Sequence, residues 1–369
     1  IFKELNGIFS FVIYDNDTAI VVRDHIGVKP LFYYHNNREF VFSSEPKGIF
    51  AYGIKPMINS DSWCEIIGLG PAHTLGNGVF KDIKEVLPGH YLTITTDYHH
   101  NVKVKDLCYW KLKAKPHIDD YNTTVDKRSY LITDSIQKQM VSDIPICTFL
   151  SGGLDSSAIS AIAAEEFRNR GKILNTYSID YKDNEKYFKS SLFQPTSDKY
   201  WAFRVAEFIK SNHKNVVLNH KDLVLALKES TLARDLPGMA DVDSSLLLFC
   251  KEIRKNFVVS LSGECADEIF GGYPWYTNEE MLNAKTFPWS RAVGMRKSIL
   301  NEKIKKFNIE ECAEYEYLKT LKEVPHFENE DKKNYRMKEM FYLNLKWFMV
   351  NLLNRKDRCS MYNSLEVRV

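Results

Sequence analysis

An apolar run, Ile144–Leu150, stops at Ser151-Gly152-Gly153 and gives way to an Ala- and Ile-rich stretch, Ser156–Arg170, with helical spacing. A buried strand turned into a helix by two glycines admits few folds, and the residues around it narrow them further. Strand Leu174–Asp180, helix Tyr200–Lys210, strand Asn215–Leu218, helices Leu223–Ala233 and Ser244–Asn256, and strand Phe257–Leu261 follow in order. Such alternation predicts a mostly parallel, doubly wound α/β sheet with helices on both faces, whose ligands bind beyond the carboxyl ends of the strands. A helix over Thr123–Met140, with Tyr130, Ile132, Ile136 and Met140 on one face, precedes it. Lys182–Ser197 is polar and reads as a loop or lid, and Glu279–Phe348 reads as helical.

The first 112 or so residues are of another kind. Short alternating or apolar runs at Ile8–Tyr14, Ala19–Arg23, Leu31–Tyr34, Phe40–Phe42 and His90–Thr95 predict strands, with one helix around Ser60–Leu69. A boundary therefore falls near 113–122, dividing the chain into 1–115 and 116–369. Two domains suit 369 residues, since one domain holds roughly 100–200. An aromatic content of 13% excludes a disordered chain. Lys and Arg (50) nearly cancel Asp and Glu (48), so no broad basic field is available for nucleic acid. No apolar run approaches the roughly 18–20 residues of a membrane span, and no signal peptide is visible. Seven cysteines without a Cys-x-x-Cys pair predict a reduced, cytoplasmic protein with no zinc site.

The loop Leu150-Ser151-Gly152-Gly153-Leu154-Asp155-Ser156-Ser157 reads as an anion cradle. Its glycines expose backbone N–H groups, and Ser156 and Ser157 add hydroxyls at the positive end of the helix. Asp155 would repel a bare phosphate, so a bridging cation is implied, Mg²⁺ being the natural choice among oxygen ligands. The Gly-x-x-x-x-Gly-Lys-Ser/Thr pattern of γ-phosphate transfer is absent. A second cluster, Ser262-Gly263-Glu264-Cys265-Ala266-Asp267-Glu268, follows the strand Phe257–Leu261. A helix beginning after Gly263 would place Glu264, Asp267 and Glu268 on one face, where their repulsion calls for a metal or a cationic group. Against these stand an ordinary serine-capped turn and a solvated acidic triplet. His25, His90 and Cys265 read as packing or turn residues, and His99-His100 as a solvated turn.

The loop Ser151–Ser157 resembles the PP-loop of ATP pyrophosphatases. Together with Ser262–Tyr273, Arg355-Lys356-Asp357-Arg358-Cys359-Ser360-Met361 and Leu365-Glu366-Val367-Arg368-Val369, it is similar to the synthetase domain of the glutamine-hydrolysing asparagine synthetase family. Leu5–Phe11, Arg23–Leu31 and Phe42-Ser43-Ser44-Glu45 resemble the later part of a class II glutamine amidotransferase domain. The implied fold is part of an N-terminal nucleophile-type αββα sandwich, followed by an adenine-nucleotide alpha-hydrolase-like sheet with a helical C-terminal part.

The resemblance implies ATP held by Leu150, Ser151, Gly152, Gly153, Asp155, Ser156, Ser157, Ile179, Ser262 and Gly263. It implies Mg²⁺ on Asp155 and Asp267, and Glu264 assisting formation of an acyl adenylate. Ammonia from glutamine would then convert the adenylated aspartate to an amide. The implied partners are these small molecules and a second copy in a homodimer. Arg355, Arg358 and Arg368 are candidates for gripping the substrate carboxylate, or equally for structural ion pairs. The family places threonines and an arginine where this chain has Pro237–Ser245 with Asp241 and Asp243, which leaves room for another acid as acceptor, including one closed on by an internal amine as in β-lactam synthetases. A non-catalytic relative is the remaining alternative. The chain opens on Ile1 and ends on Arg368-Val369, so the expectation is a segment without the N-terminal cysteine nucleophile and without a later family lysine.

Overall fold

The computed structural model describes residues 1–191, 194–328 and 330–369. The predicted loop 182–197 therefore falls partly outside the described residues; its described part holds one short helix, Asn184–Tyr187. The helical prediction for 279–348 also includes one residue outside the described set. Two compact units form: one from 1–114, 234–238 and 275–355, the other from 115–233, 239–274 and 356–369. The division at 114/115 lies beside the predicted boundary, while the helical stretch 275–355 clusters with the N-terminal unit.

In the first unit, strands β1 (Ser10–Asp15), β2 (Thr18–Arg23), β6 (His90–Thr96) and β7 (Val102–Cys108) form an antiparallel sheet in the order β1-β2-β6-β7. Strands β3 (Phe32–His35), β4 (Phe40–Ser43) and β5 (Lys84–Glu85) form a second, β4-β3-β5. Alternation along the strands sends Val21, Leu92 and Ile94 into a common core with Leu31, Tyr33 and Val86. Two helical segments stand where one was predicted: Pro46–Tyr52, and Ser60–Trp63 running into a π-helical turn at Cys64–Gly68. The first has only seven residues and carries Gly48, too little for periodicity to register.

The Arg23–Pro30 motif is a buried electrostatic knot. Arg23 is fully buried and donates to the carbonyls of Val86, Gly27 and Lys29 while pairing with Glu85 at 2.9 Å. Asp24 accepts N–H groups of Ile26, Val28 and Lys29. His25 makes edge-on ring contacts with Phe9, Tyr109 and Trp110, in keeping with a packing role. The later helices join this unit through Leu69 and Ala72, which share a core with Phe287, Ala313, Tyr317, Leu343 and Trp347. Ser290 and Arg296 both donate to the Gly68 carbonyl. Cys64 and Cys312 form a disulfide with Cα atoms 6.2 Å apart, so the expectation of a fully reduced set of cysteines does not hold for this pair.

The second unit is a five-stranded, wholly parallel sheet, β10-β9-β8-β11-β12, built from β8 (Ile146–Phe149), β9 (Asn175–Tyr181), β10 (Asn212–Leu218), β11 (Val259–Leu261) and β12 (Glu366–Arg368). Because neighbours along a strand face opposite sides, Ile146 joins Ile136, Ala163, Ala164 and Ile209 on one face, and Cys147 joins Leu223, Phe249 and Ile253 on the other. Both faces are covered, as alternation predicted. From β8 the chain moves outward through β9 and β10, then returns to β8's other side at β11. The switch point therefore lies between the carboxyl ends of β8 and β11.

Candidate functional site

The Ser151–Ser157 loop leaves β8 and the Ser262–Gly263 turn leaves β11, so the switch point brings the two predicted motifs side by side. Leu150 is fully buried and its N–H bonds to the Tyr177 carbonyl at 2.8 Å, which fixes the loop's starting point. Gly152 has φ +86°, and a Cβ there would stand 2.4 Å from the Ala202 backbone nitrogen. Only glycine fits that corner. Gly153 is the N-cap of helix Leu154–Asn169, so Leu154, Asp155 and Ser156 form its first turn with the helix dipole behind them. Ser156 Oγ closes the loop: it accepts the Ser151 N–H at 3.2 Å, lies 2.9 Å from Ser151 Oγ and donates to the Gly153 carbonyl. Ser157 Oγ is buried without a hydrogen-bond partner among the described residues.

Gly263 touches this first turn. A Cβ on it would lie 3.0 Å from Ser156 N and 3.1 Å from Asp155 Cβ. Burial raises the Asp155 carboxyl above its ordinary range; burial and the charge of Asp155 together raise Asp267. Two carboxylates that repel one another at the mouth of an N–H-lined loop have the donor chemistry of a hard divalent cation. Ile179, in β9, is half-buried against the apolar face that holds Tyr177 and Phe249.

The acidic cluster differs from the prediction. Cys265 takes a left-handed conformation, φ 76°, and the helix runs from Ala266 to Phe270, so Glu264 precedes the helix instead of sharing its face. Glu268 turns inward, where burial pushes its carboxyl up to about 7 and Tyr273 donates to it. Glu264 is neutralised from within the fold: the buried Lys356 ammonium pairs with its carboxylate and also bonds to Ser262 Oγ. Lys356 lies within the terminal motif Arg355–Met361, and nothing local in the sequence ties it to a turn 94 residues earlier.

Of the three candidate arginines, Arg355 belongs to the first unit, and Arg358 and Arg368 to the second. Arg358 is buried and donates to the Ala233 carbonyl at 3.0 Å. Arg368 donates to the carbonyls of Gln139 and Val141 at the end of helix Tyr121–Gln139 and pairs with Glu366. Asp243 is buried and accepts the Met239 N–H at 3.0 Å, whereas Asp241 is exposed. A groove of about 940 Å³ in the same unit runs beside the first turn, lined by Leu131, Ile132, Ile159, Leu261 and Ile269 and reaching Asp155. No helix among the described residues is long and apolar enough to cross a membrane.

The family described as asparagine synthase matches residues 128–369. The chain belongs to that family. A glutamine amidotransferase domain matches residues 1–107. The chain is 48% identical to glutamine-hydrolysing asparagine synthetase 3 of Bacillus subtilis (strain 168), over 99% of its own length and 59% of the relative's. It is 29% identical to asparagine synthetase 1 of the same organism, over 81% of its length and 44% of the relative's. A third, asparagine synthetase 2 of that organism, is 28% identical over 73% and 36% respectively. The chain thus spans between about a third and three-fifths of the length of these relatives.

Proposed function

We propose that the second unit binds ATP across the β8 and β11 turns and, in the full-length protein, cleaves it between the α and β phosphorus atoms to make asparagine. The observation that carries this is the contact of Gly263 with the first turn of helix Leu154–Asn169, which makes one cradle of two motifs. The aspartate side-chain carboxylate attacks the α-phosphorus, and the α–β bridging oxygen leaves with pyrophosphate. Ammonia, taken from glutamine, then attacks the acyl carbon, and AMP departs as the amide forms. What the chain supplies is position and charge. The N–H groups of Gly152 and of Leu154 to Ser156, with the dipole of their helix, face the phosphates, while the Gly153 N–H is held by Ser151 Oγ at 3.3 Å; Leu150 and Ile179 border the base, and Ser262 offers a hydroxyl. Glu264 stands at the reacting end and Asp155 and Asp267 would hold Mg²⁺. That ion would supply neutralisation of the pyrophosphate charge. A cytoplasm, where ATP and glutamine are plentiful, is the compartment such a reaction needs.

A second acceptor acid is favoured by one feature, the aspartates at 241 and 243, although Asp243 Oδ2 accepts the Met239 N–H. Pyrophosphate release by the full-length protein, measured with aspartate and ammonia present or omitted, tests both. Release that requires aspartate supports asparagine synthesis. Release with another acid and not with aspartate overturns it and keeps the adenylation.

A further inference from the structure

Lys356 is nearly excluded from solvent, with 4% of its side chain exposed, and its ammonium lies 5.5 Å from the Phe149 ring centroid at the end of β8. Burying an ammonium is costly unless its donors are met. Here one N–H goes to the Glu264 carboxylate and one to Ser262 Oγ. The second bond has a chemical consequence. A hydroxyl has two acceptor sites and one proton. Ser262 Oγ accepts from Lys356, which can only donate, and from the Glu264 N–H at 3.4 Å. Both acceptor sites are filled, so the hydroxyl is left to donate. The Ser262 N–H is itself held by the Arg368 carbonyl at 2.9 Å, which fixes the main chain from which the hydroxyl projects.

We propose that Lys356 is a positioning residue of the nucleotide site: it sets the Ser262 hydroxyl as a hydrogen-bond donor toward an acceptor atom of ATP and anchors the Glu264 carboxylate beside it. The assignment rests on the proposed ATP site. It gives the buried lysine a task that packing alone does not, because an apolar side chain of the same length would fill the space without fixing the hydroxyl's polarity.

A double-mutant cycle on the full-length protein, read by calorimetry with MgATP, tests it. Lys356→Met and Ser262→Ala should each weaken ATP binding about tenfold, the worth of one hydrogen bond at a charged donor, and the double variant should lose about tenfold as well, because the two act through one bond. Separate contributions would multiply to about a hundredfold, and that result overturns the proposal, as does wild-type affinity in Lys356→Met. Failure of the wild-type protein to bind MgATP overturns the ATP site itself. Should Lys356→Met not fold, because it strands Glu264, the cycle is run in Glu264→Gln, where removing both charges spares the core. There, adding Lys356→Met should weaken ATP binding about tenfold beyond Glu264→Gln alone, and no further loss overturns the proposal. A lysine serving only the fold would lower Tm without coupling to Ser262.

Discussion

Gly263 and Ser156 meet across the two turns so closely that a Cβ on the glycine would stand 3.0 Å from the serine's backbone nitrogen. The contact forces a direct prediction. Gly263→Ala must push the β11 turn away from the first turn of the helix by a few tenths of an ångström, so MgATP affinity should drop about tenfold while Tm moves by only a few degrees. Gly152→Ala should behave differently. Its backbone is left-handed and its Cβ would strike main chain at 2.4 Å, so the loop itself is strained, by about 1–2 kcal/mol or more, and Tm should fall together with binding. Thermal melts with and without MgATP distinguish the two patterns.

In the proposed Mg²⁺ site, Asp155 and Asp267 would trade stability for affinity. Each is raised by burial, and Asp267 also by its neighbour's charge, so the ligand-free protein carries an electrostatic strain that a cation would relieve. Asp267→Asn should raise the ligand-free Tm and abolish the Mg²⁺-dependent part of ATP binding. A fall in Tm with Mg²⁺ dependence intact would show that the carboxylates are structural.

What was legible in the sequence was what is local. The Leu150–Ser157 loop announced itself because strand, glycines and helix are contiguous, and both faces of the parallel sheet followed from alternation. The Glu264 face was misread because Cys265 adopts φ 76°, a conformation that no spacing rule anticipates in a non-glycine residue. Lys356 and Cys312 escaped for another reason. Their partners lie 94 and 248 residues away, and no periodicity carries across such distances. The same limit hid the assignment of 275–355 to the first unit, which depends on aromatic residues such as Phe287 and Trp347 closing over Leu69.

The Cys64–Cys312 disulfide is checked by counting thiols. The denatured chain should titrate five thiols before reduction, from Cys108, Cys147, Cys250, Cys265 and Cys359, and seven after it. Seven without reductant would mean that the pair is not joined.

Glu85 tests the first unit. It is buried against Arg23, and although burial opposes its charge, Arg23 and His73 hold its carboxyl below the usual range. Removing one partner of a buried pair strands the other, so Glu85→Ala should cost about 3–5 kcal/mol, read from the denaturant midpoint of this unit's transition. A carboxyl lowered on folding lends stability above its unfolded pKa and loses it as pH falls through the folded one, so the wild-type advantage should shrink in acid.

His213 carries a second pH dependence of the same sign, set near neutrality because its ordinary pKa is 6.5. Ser178 donates its hydroxyl proton to Asn215 Oδ1 at 2.8 Å, so its oxygen must accept from His213 Nε2 at 3.0 Å. That fixes the neutral tautomer with the proton on Nε2, leaving Nδ1 to accept from Thr176 Oγ1 at 2.9 Å. Burial lowers the His213 pKa below 6.5, and protonating Nδ1 would face a hydroxyl already oriented to donate. Between the folded pKa and 6.5 the unfolded chain binds the extra proton, so stability is complete above pH 6.5 and is lost as the pH falls below it. His213→Gln removes the titration. Its Tm should lie below the wild-type value at pH 7.5, and the gap should narrow steadily on acidification to pH 5, since only the wild type surrenders stability at this site. A gap that widens in acid would mean that the imidazole gains a proton on folding, and the tautomer derived from Asn215 would be wrong.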